Sequence, residues 1–163
     1  MRCDMRNTFL GIGGNRDIVV ALLDTYEYAK LQPVNLLKNL YDCDYYTQLW
    51  SIWQYFIDHV YYKEDEGNKQ YLKTPARILR DGKGDCKSFS IFFASCLHCL
   101  GIPFVFRFVG FNAQRPRTYT HVYVVANPNT SAEVILDAVE TDASGMPIFN
   151  YARNYVTHKD IAA

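Results

Sequence analysis

Neither sign of charge is in excess: 17 Lys and Arg balance 17 Asp and Glu over 163 residues. Binding to nucleic acid or to an anionic membrane surface is therefore not expected, because both draw on a surplus of positive charge. Long apolar runs are also missing. The most apolar stretch, 45–57, is interrupted by Gln48, Ser51 and Gln54 and flanked by Asp44 and Asp58, too short and too polar to cross a bilayer. The mixed-charge opening Met1-Arg2-Cys3-Asp4-Met5-Arg6 does not read as a signal peptide. Five cysteines are then expected as free thiols rather than a disulfide framework, and the chain as cytoplasmic.

Several cofactor patterns are lacking as well. Gly11-Ile12-Gly13-Gly14-Asn15 has neither G-x-G-x-x-G spacing nor the Lys-Ser/Thr ending of a phosphate loop, and no strand is expected before it. It reads as a turn ahead of a helix. The cluster 63–68 lacks the spacing of an EF-hand loop. Cys96, His98 and Cys99 find no further ligands at zinc spacing in Cys3, Cys43 or His59, so they read as core thiols with a more exposed histidine. No internal repeat is visible. No cofactor and no metal are expected.

What is present is a chain that is 49% hydrophobic, with 13 Tyr and 10 Phe, enough for one globular domain with a ring-rich core. The single domain 1–163 divides into an N-terminal helical part over about 1–62, a core over about 63–140 and a tail over 141–163 that is expected to be irregular. Ile18, Val19, Leu22, Leu23, Tyr26 and Ala29 form one face of a helix running from near Arg16 to Leu31, and a shorter helix follows through Leu40. Asp44 caps the next helix, whose Tyr46, Leu49, Trp50, Trp53, Phe56, Ile57 and Val60 recur at helical spacing and are assigned to the core. Gln70-Tyr71-Leu72 reads as extended, and Thr74-Pro75 starts a short helix. Strands are expected over 104–109, 119–125 and 133–137, antiparallel because their connections are short. Helices first and strands after define an α+β class.

The chain is organised around Gly82-Lys83-Gly84-Asp85-Cys86, followed by a stretch free of Gly and Pro from Lys87 to Leu100. Gly101 is suited to end that helix in a left-handed conformation, and Pro103 prevents its resumption. Cys86 thus stands at a helix N-terminus, where unpaired N–H groups and the macrodipole favour a thiolate. A thiolate that attacks a carbonyl needs an imidazole beside it, and the imidazole needs an acceptor to fix its tautomer. His121 on the second strand and Asp137 at the end of the third can lie side by side in an antiparallel pair. Pairing of thiolate with imidazolium is expected to raise the imidazole pKa. Arg115 and Arg117 read as a solvated loop tip, and His158 as solvated.

Gly84-Asp85-Cys86 at a helix start, Thr120-His121-Val122 on a strand and Ile135-Leu136-Asp137 on the next resemble the transglutaminase-like superfamily, with its papain-like fold. Leu72-Lys73-Thr74-Pro75 and Leu100-Gly101-Ile102-Pro103 extend the likeness, which covers roughly 61–137. It implies a Cys-His-Asp triad of Cys86, His121 and Asp137, and thiol acyl chemistry on an amide of a peptide or protein. Val134-Ile135-Leu136 stand where larger members often carry a tryptophan before the Asp, and no calcium-site pattern is present. Hydrolysis is therefore expected more readily than calcium-dependent cross-linking, in a short member of bacterial or phage-like setting. The Cys86 backbone N–H is the first candidate oxyanion donor; Gln70 is the second, with Trp50 or Trp53 behind it. Two other readings of the same cleft stay open: a catalytically silent peptide-binding module, and a structural component of a larger, phage-like assembly.

Overall fold

The computed structural model describes residues 7–9, 15–66, 70–115 and 118–163. In chain order the elements are β1 (Asn7–Phe9), α1 (Asn15–Ala29), α2 (Val34–Leu37), α3 (Tyr45–His59), β2 (Tyr61–Tyr62), β3 (Tyr71–Lys73), α4 (Pro75–Asp81), β4 (Lys83–Gly84), α5 (Cys86–Leu100), β5 (Phe104–Gly110), β6 (His121–Ala126), β7 (Val134–Leu136) and β8 (Thr157–Ala162). The expected glycine turn at 11–14, Cys3, Gly67-Asn68 and Arg117 lie outside the described residues.

Helix α5 is central because its sequence offers almost no polar face. Residues 87–97 are buried throughout, the pattern of a helix enclosed on all sides. Asp85 caps it by accepting the Ser88 N–H, and Gly101 ends it at φ 69°. The Ile102 N–H then reaches back to the Leu97 carbonyl at 3.0 Å. The Phe56 ring of α3 meets Phe89, Phe92 and Phe93 of α5 at centroid distances of 4.7, 4.6 and 4.8 Å. Tyr26 of α1 covers Phe104 and Phe106 edge-on at 5.7 and 5.6 Å.

On its other side α5 packs on a four-stranded antiparallel sheet of order β7-β6-β5-β8. Alternation along β6 sends Val122, Val124 and Ala126 into the main core and Tyr123 and Val125 into a second cluster with Val109 and Ile135. Ser90 ties helix to sheet: its hydroxyl lies 2.8 Å from the Cys86 carbonyl and 3.1 Å from the Val122 carbonyl. This packing fixes the start of α5 against the start of β6.

Three expectations need correction. The tail is not irregular throughout, because β8 pairs with β5 as the sheet edge from Val105↔Ala162 to Gly110↔Thr157. Its Thr-His-Lys-Asp-Ile-Ala sequence hides the strand, since an edge strand paired on one side tolerates charge. A strand does precede the glycine-rich segment: β1 pairs with β3 through Thr8↔Leu72. Along α3, Tyr46 and Trp50 are half-exposed, while Ile52, outside the expected stripe, is fully buried.

Phe56 has no exposed surface and touches three rings, so Phe56→Ala is expected to destabilise the fold by about 3–5 kcal/mol. Urea denaturation of the variant against the wild type measures this.

Candidate active site

Cys86 occupies the first turn of α5, where helix geometry leaves its N–H without an intrahelical acceptor. Its side chain is partly exposed at a cleft of about 90 Å³, shared with His121, Gln70, Lys87 and Thr120. Ile18 and Val19 of α1, with Phe108, Tyr119 and Val122, supply apolar walls. His121 opens β6, opposite Val109 of β5, and Asp137 follows β7 directly. Register places Val124 against Leu136, so the first residue of β6 and the residue after β7 come together at one end of the sheet.

There His121 donates from Nε2 to Asp137 Oδ2 at 2.7 Å, with both side chains almost wholly buried. The other ring nitrogen, Nδ1, is left for the thiol. Burial pulls the imidazole pKa down, but the hydrogen bonds to Asp137 and to Cys86 outweigh it, and the pKa is raised to about 9. Asp137 is subject to the opposite balance. Burial pushes its carboxyl up, and His121 and Arg153 together hold it below the usual carboxylate range. The sequence-selected Cys86, His121 and Asp137 are thereby brought together.

Gln70 does line the cleft, but Trp50 and Trp53 do not. Trp50 is half-exposed on α3, and Trp53 is buried against Phe149 at a centroid distance of 5.4 Å. Cys96 is fully buried and its thiol is pushed up by burial; Cys99 donates to the Lys30 carbonyl at 3.2 Å, and His98 faces the Tyr26 hydroxyl at 3.2 Å. These three residues are core and packing groups, as the sequence indicated.

Two charged neighbours of the site escaped the sequence reading. The Lys87 ammonium is buried between Asp85, its direct partner, and Asp65 at 3.8 Å. Burial opposes its charge, but Asp85 outweighs that and raises the Lys87 pKa. Helical periodicity conceals this, because a lysine in a first turn normally points to water. Arg153 donates from Nε to Asp137 Oδ2 at 2.6 Å. A sequence signal for it existed: Arg153 is the single Asp, Glu, Lys or Arg within 143–157.

A family model described as the transglutaminase-like superfamily matches residues 39–137 of this chain, a span that holds Cys86, His121 and Asp137. The chain belongs to the transglutaminase-like superfamily. None of the curated proteins searched matches it in sequence. Among solved structures, this transglutaminase-like domain is similar to calcium-bound LapG of Legionella pneumophila, with 21% identity and a TM-score of 0.52 over 76% of this chain and 74% of that one. A second structure of LapG matches over 86% and 82% of the two chains, again at 21% identity and a TM-score of 0.52. A protein from Cytophaga hutchinsonii, provisionally titled a cysteine protease, matches at 13% identity and a TM-score of 0.50 over 96% of this chain and 62% of its own. At these identities the likeness establishes the fold, which is the α+β, papain-like architecture expected from the sequence.

Among the described residues no group of three or more His, Cys, Asp or Glu side chains is placed to hold a metal ion. The carboxylates next to Cys86 already share the Lys87 ammonium, so this pair does not fit a calcium ion. Among the described residues no helix is long and apolar enough to cross a membrane.

The raised imidazole pKa has a consequence for stability. A folded-state value above the unfolded one, near 6.5, contributes stability that is complete below about pH 6.5 and lost as pH rises through about 9. The stability advantage of wild type over His121→Gln is expected to shrink across that window by a few kcal/mol, roughly 3 at most. Urea denaturation of both proteins at pH 6, 7.5 and 9 measures it; an advantage independent of pH would contradict the ion-pair geometry.

Proposed function

We propose that this transglutaminase-like domain is a thiol hydrolase or acyltransferase acting on peptide or isopeptide-type amides. The observation that carries the reading is the buried His121–Asp137 hydrogen bond placed beside a partly exposed cysteine at a helix N-terminus. The provisional protease title of one structural neighbour is consistent with this reading, and a peptide or protein is the corresponding substrate class.

In this mechanism the Cys86 thiolate attacks the amide carbonyl carbon while His121 is protonated. The carbonyl electron pair moves onto oxygen, where the Cys86 N–H and the Gln70 amide are the proposed donors. Collapse of the tetrahedral adduct breaks the C–N bond, and the His121 imidazolium gives its proton to the leaving amine. Neutral His121 then takes a proton from water, or from an acceptor amine, as it attacks the thioester. Cys86 departs as thiolate, and the acid or the new amide is released. Asp137 orients the ring and stabilises its cationic form, without itself taking up the proton. The apolar walls from α1 and the sheet favour an acyl group with an apolar side chain next to the bond.

Alkylation mapped by peptide mass spectrometry tests the site. At pH 6 Cys86 is expected to react with iodoacetamide at least about tenfold faster than in His121→Ala, since the thiolate rather than the thiol is the nucleophile. Equal rates in both proteins would remove the basis for catalysis and leave a cleft suited to holding a peptide.

A further inference from the structure

The segment after β7 does more than cover the sheet. Asn150 accepts the Ile135 N–H at 2.8 Å, and β8 joins β5 from Thr157 onward, so Arg153 lies between two anchors. From there its Nε–H donates to Asp137 Oδ2 at 2.6 Å, the same oxygen that accepts from His121 Nε2 at 2.7 Å. Asp137 Oδ1 accepts the Val139 N–H at 3.2 Å. The guanidinium is held from its other end by Glu140, whose Oε2 lies 2.7 Å from Nη1. Arg153 also stands outside the residues that the family model covers.

We propose that Arg153 is a positioning residue for the active site: by bonding the carboxylate oxygen that the imidazole uses, it fixes the orientation of Asp137 and limits how strongly that carboxylate holds the imidazolium. A lone buried carboxylate stabilises a neighbouring imidazolium strongly, and so retains the proton that the leaving amine must receive. A guanidinium on the same oxygen offsets part of that negative charge and keeps the carboxylate ionised at the same time. Among the described residues, the other charged or titratable groups around the ring are Cys86 and Lys87 from α5, Tyr119 just before β6, and Tyr123 from β6, whose ring centroid is 5.8 Å away. None of them touches the Asp137 oxygen. The inference rests on the thiol-chemistry reading only in treating Asp137 as the triad carboxylate.

NMR titration of the His121 imidazole in the full chain tests it without any substrate. Among the four histidine signals, that of His121 is assigned by its loss in His121→Gln. In Arg153→Gln the imidazole pKa is expected to rise by about one unit, as befits loss of a cation a few ångströms away. Arg153→Lys, which keeps the charge, is expected to remain close to wild type. An unchanged value in Arg153→Gln, or one lowered toward that of a solvated imidazole, would overturn the proposal and leave Arg153 as tail packing. If Arg153→Gln does not fold, Glu140→Gln decides: releasing the guanidinium to Asp137 alone lowers the imidazole pKa, and an unaltered titration overturns the proposal. A failed substrate screen with the expected titrations would instead count against the hydrolase reading alone.

Discussion

A buried carboxylate on an imidazole is costly unless its charge is met on every side, and Asp137 is met by an imidazole N–H, a guanidinium N–H and a backbone N–H. The placement and charge of the imidazole depend on that contact. It assigns Nε2 of His121 to Asp137 and so turns Nδ1 toward the thiol. It keeps the imidazole cationic in a place where burial alone would discharge it. And it exists only because β6 and β7 are antiparallel neighbours in a register that brings His121 and Asp137 to the same end of the sheet.

Cys86 is fixed by a different force. Helix α5 is enclosed by apolar contacts from α1, α3, α4 and the sheet, so its position follows from packing rather than from polar bonds. The polar groups sit where packing stops, at its N-terminus. There Asp85 caps the helix, Lys87 neutralises Asp85, and the Ser90 hydroxyl lies against both the Cys86 and Val122 carbonyls. The apolar core sets the helix in place, and a short run of hydrogen bonds sets Cys86 relative to His121. A deep core and a polar end on one helix allow the Cys86 thiol to stand partly exposed without loosening the fold.

How much of this could be read from the chain follows from which forces are local. The Gly101 stop, the Asp44 cap and the Pro75 start appear where turn and cap chemistry put them. The strands containing His121 and preceding Asp137 were legible because both are buried and rich in apolar, β-branched residues. Strand β8 was not, because it is the exposed edge, carries polar and charged residues, and is recognised only by its partner. Nor was the Lys87–Asp85–Asp65 group, since Asp65 reaches Lys87 from 22 positions upstream in a turn whose own sequence suggests solvent. Tryptophans on α3 matched the expected chemistry of an oxyanion donor but face Phe149 or water instead. Aromatic identity does not reveal which way a helix is turned.

Formation of a covalent acyl intermediate on Cys86 is tested most directly by intact-mass spectrometry during reaction with an activated peptide ester. One acyl group per chain is expected, located on Cys86, which disappears with time as water or an added amine takes it. No adduct is expected in Cys86→Ser on that timescale. An adduct that forms on Cys43 or Cys99 in preference to Cys86, or no adduct while the protein remains folded, would contradict it.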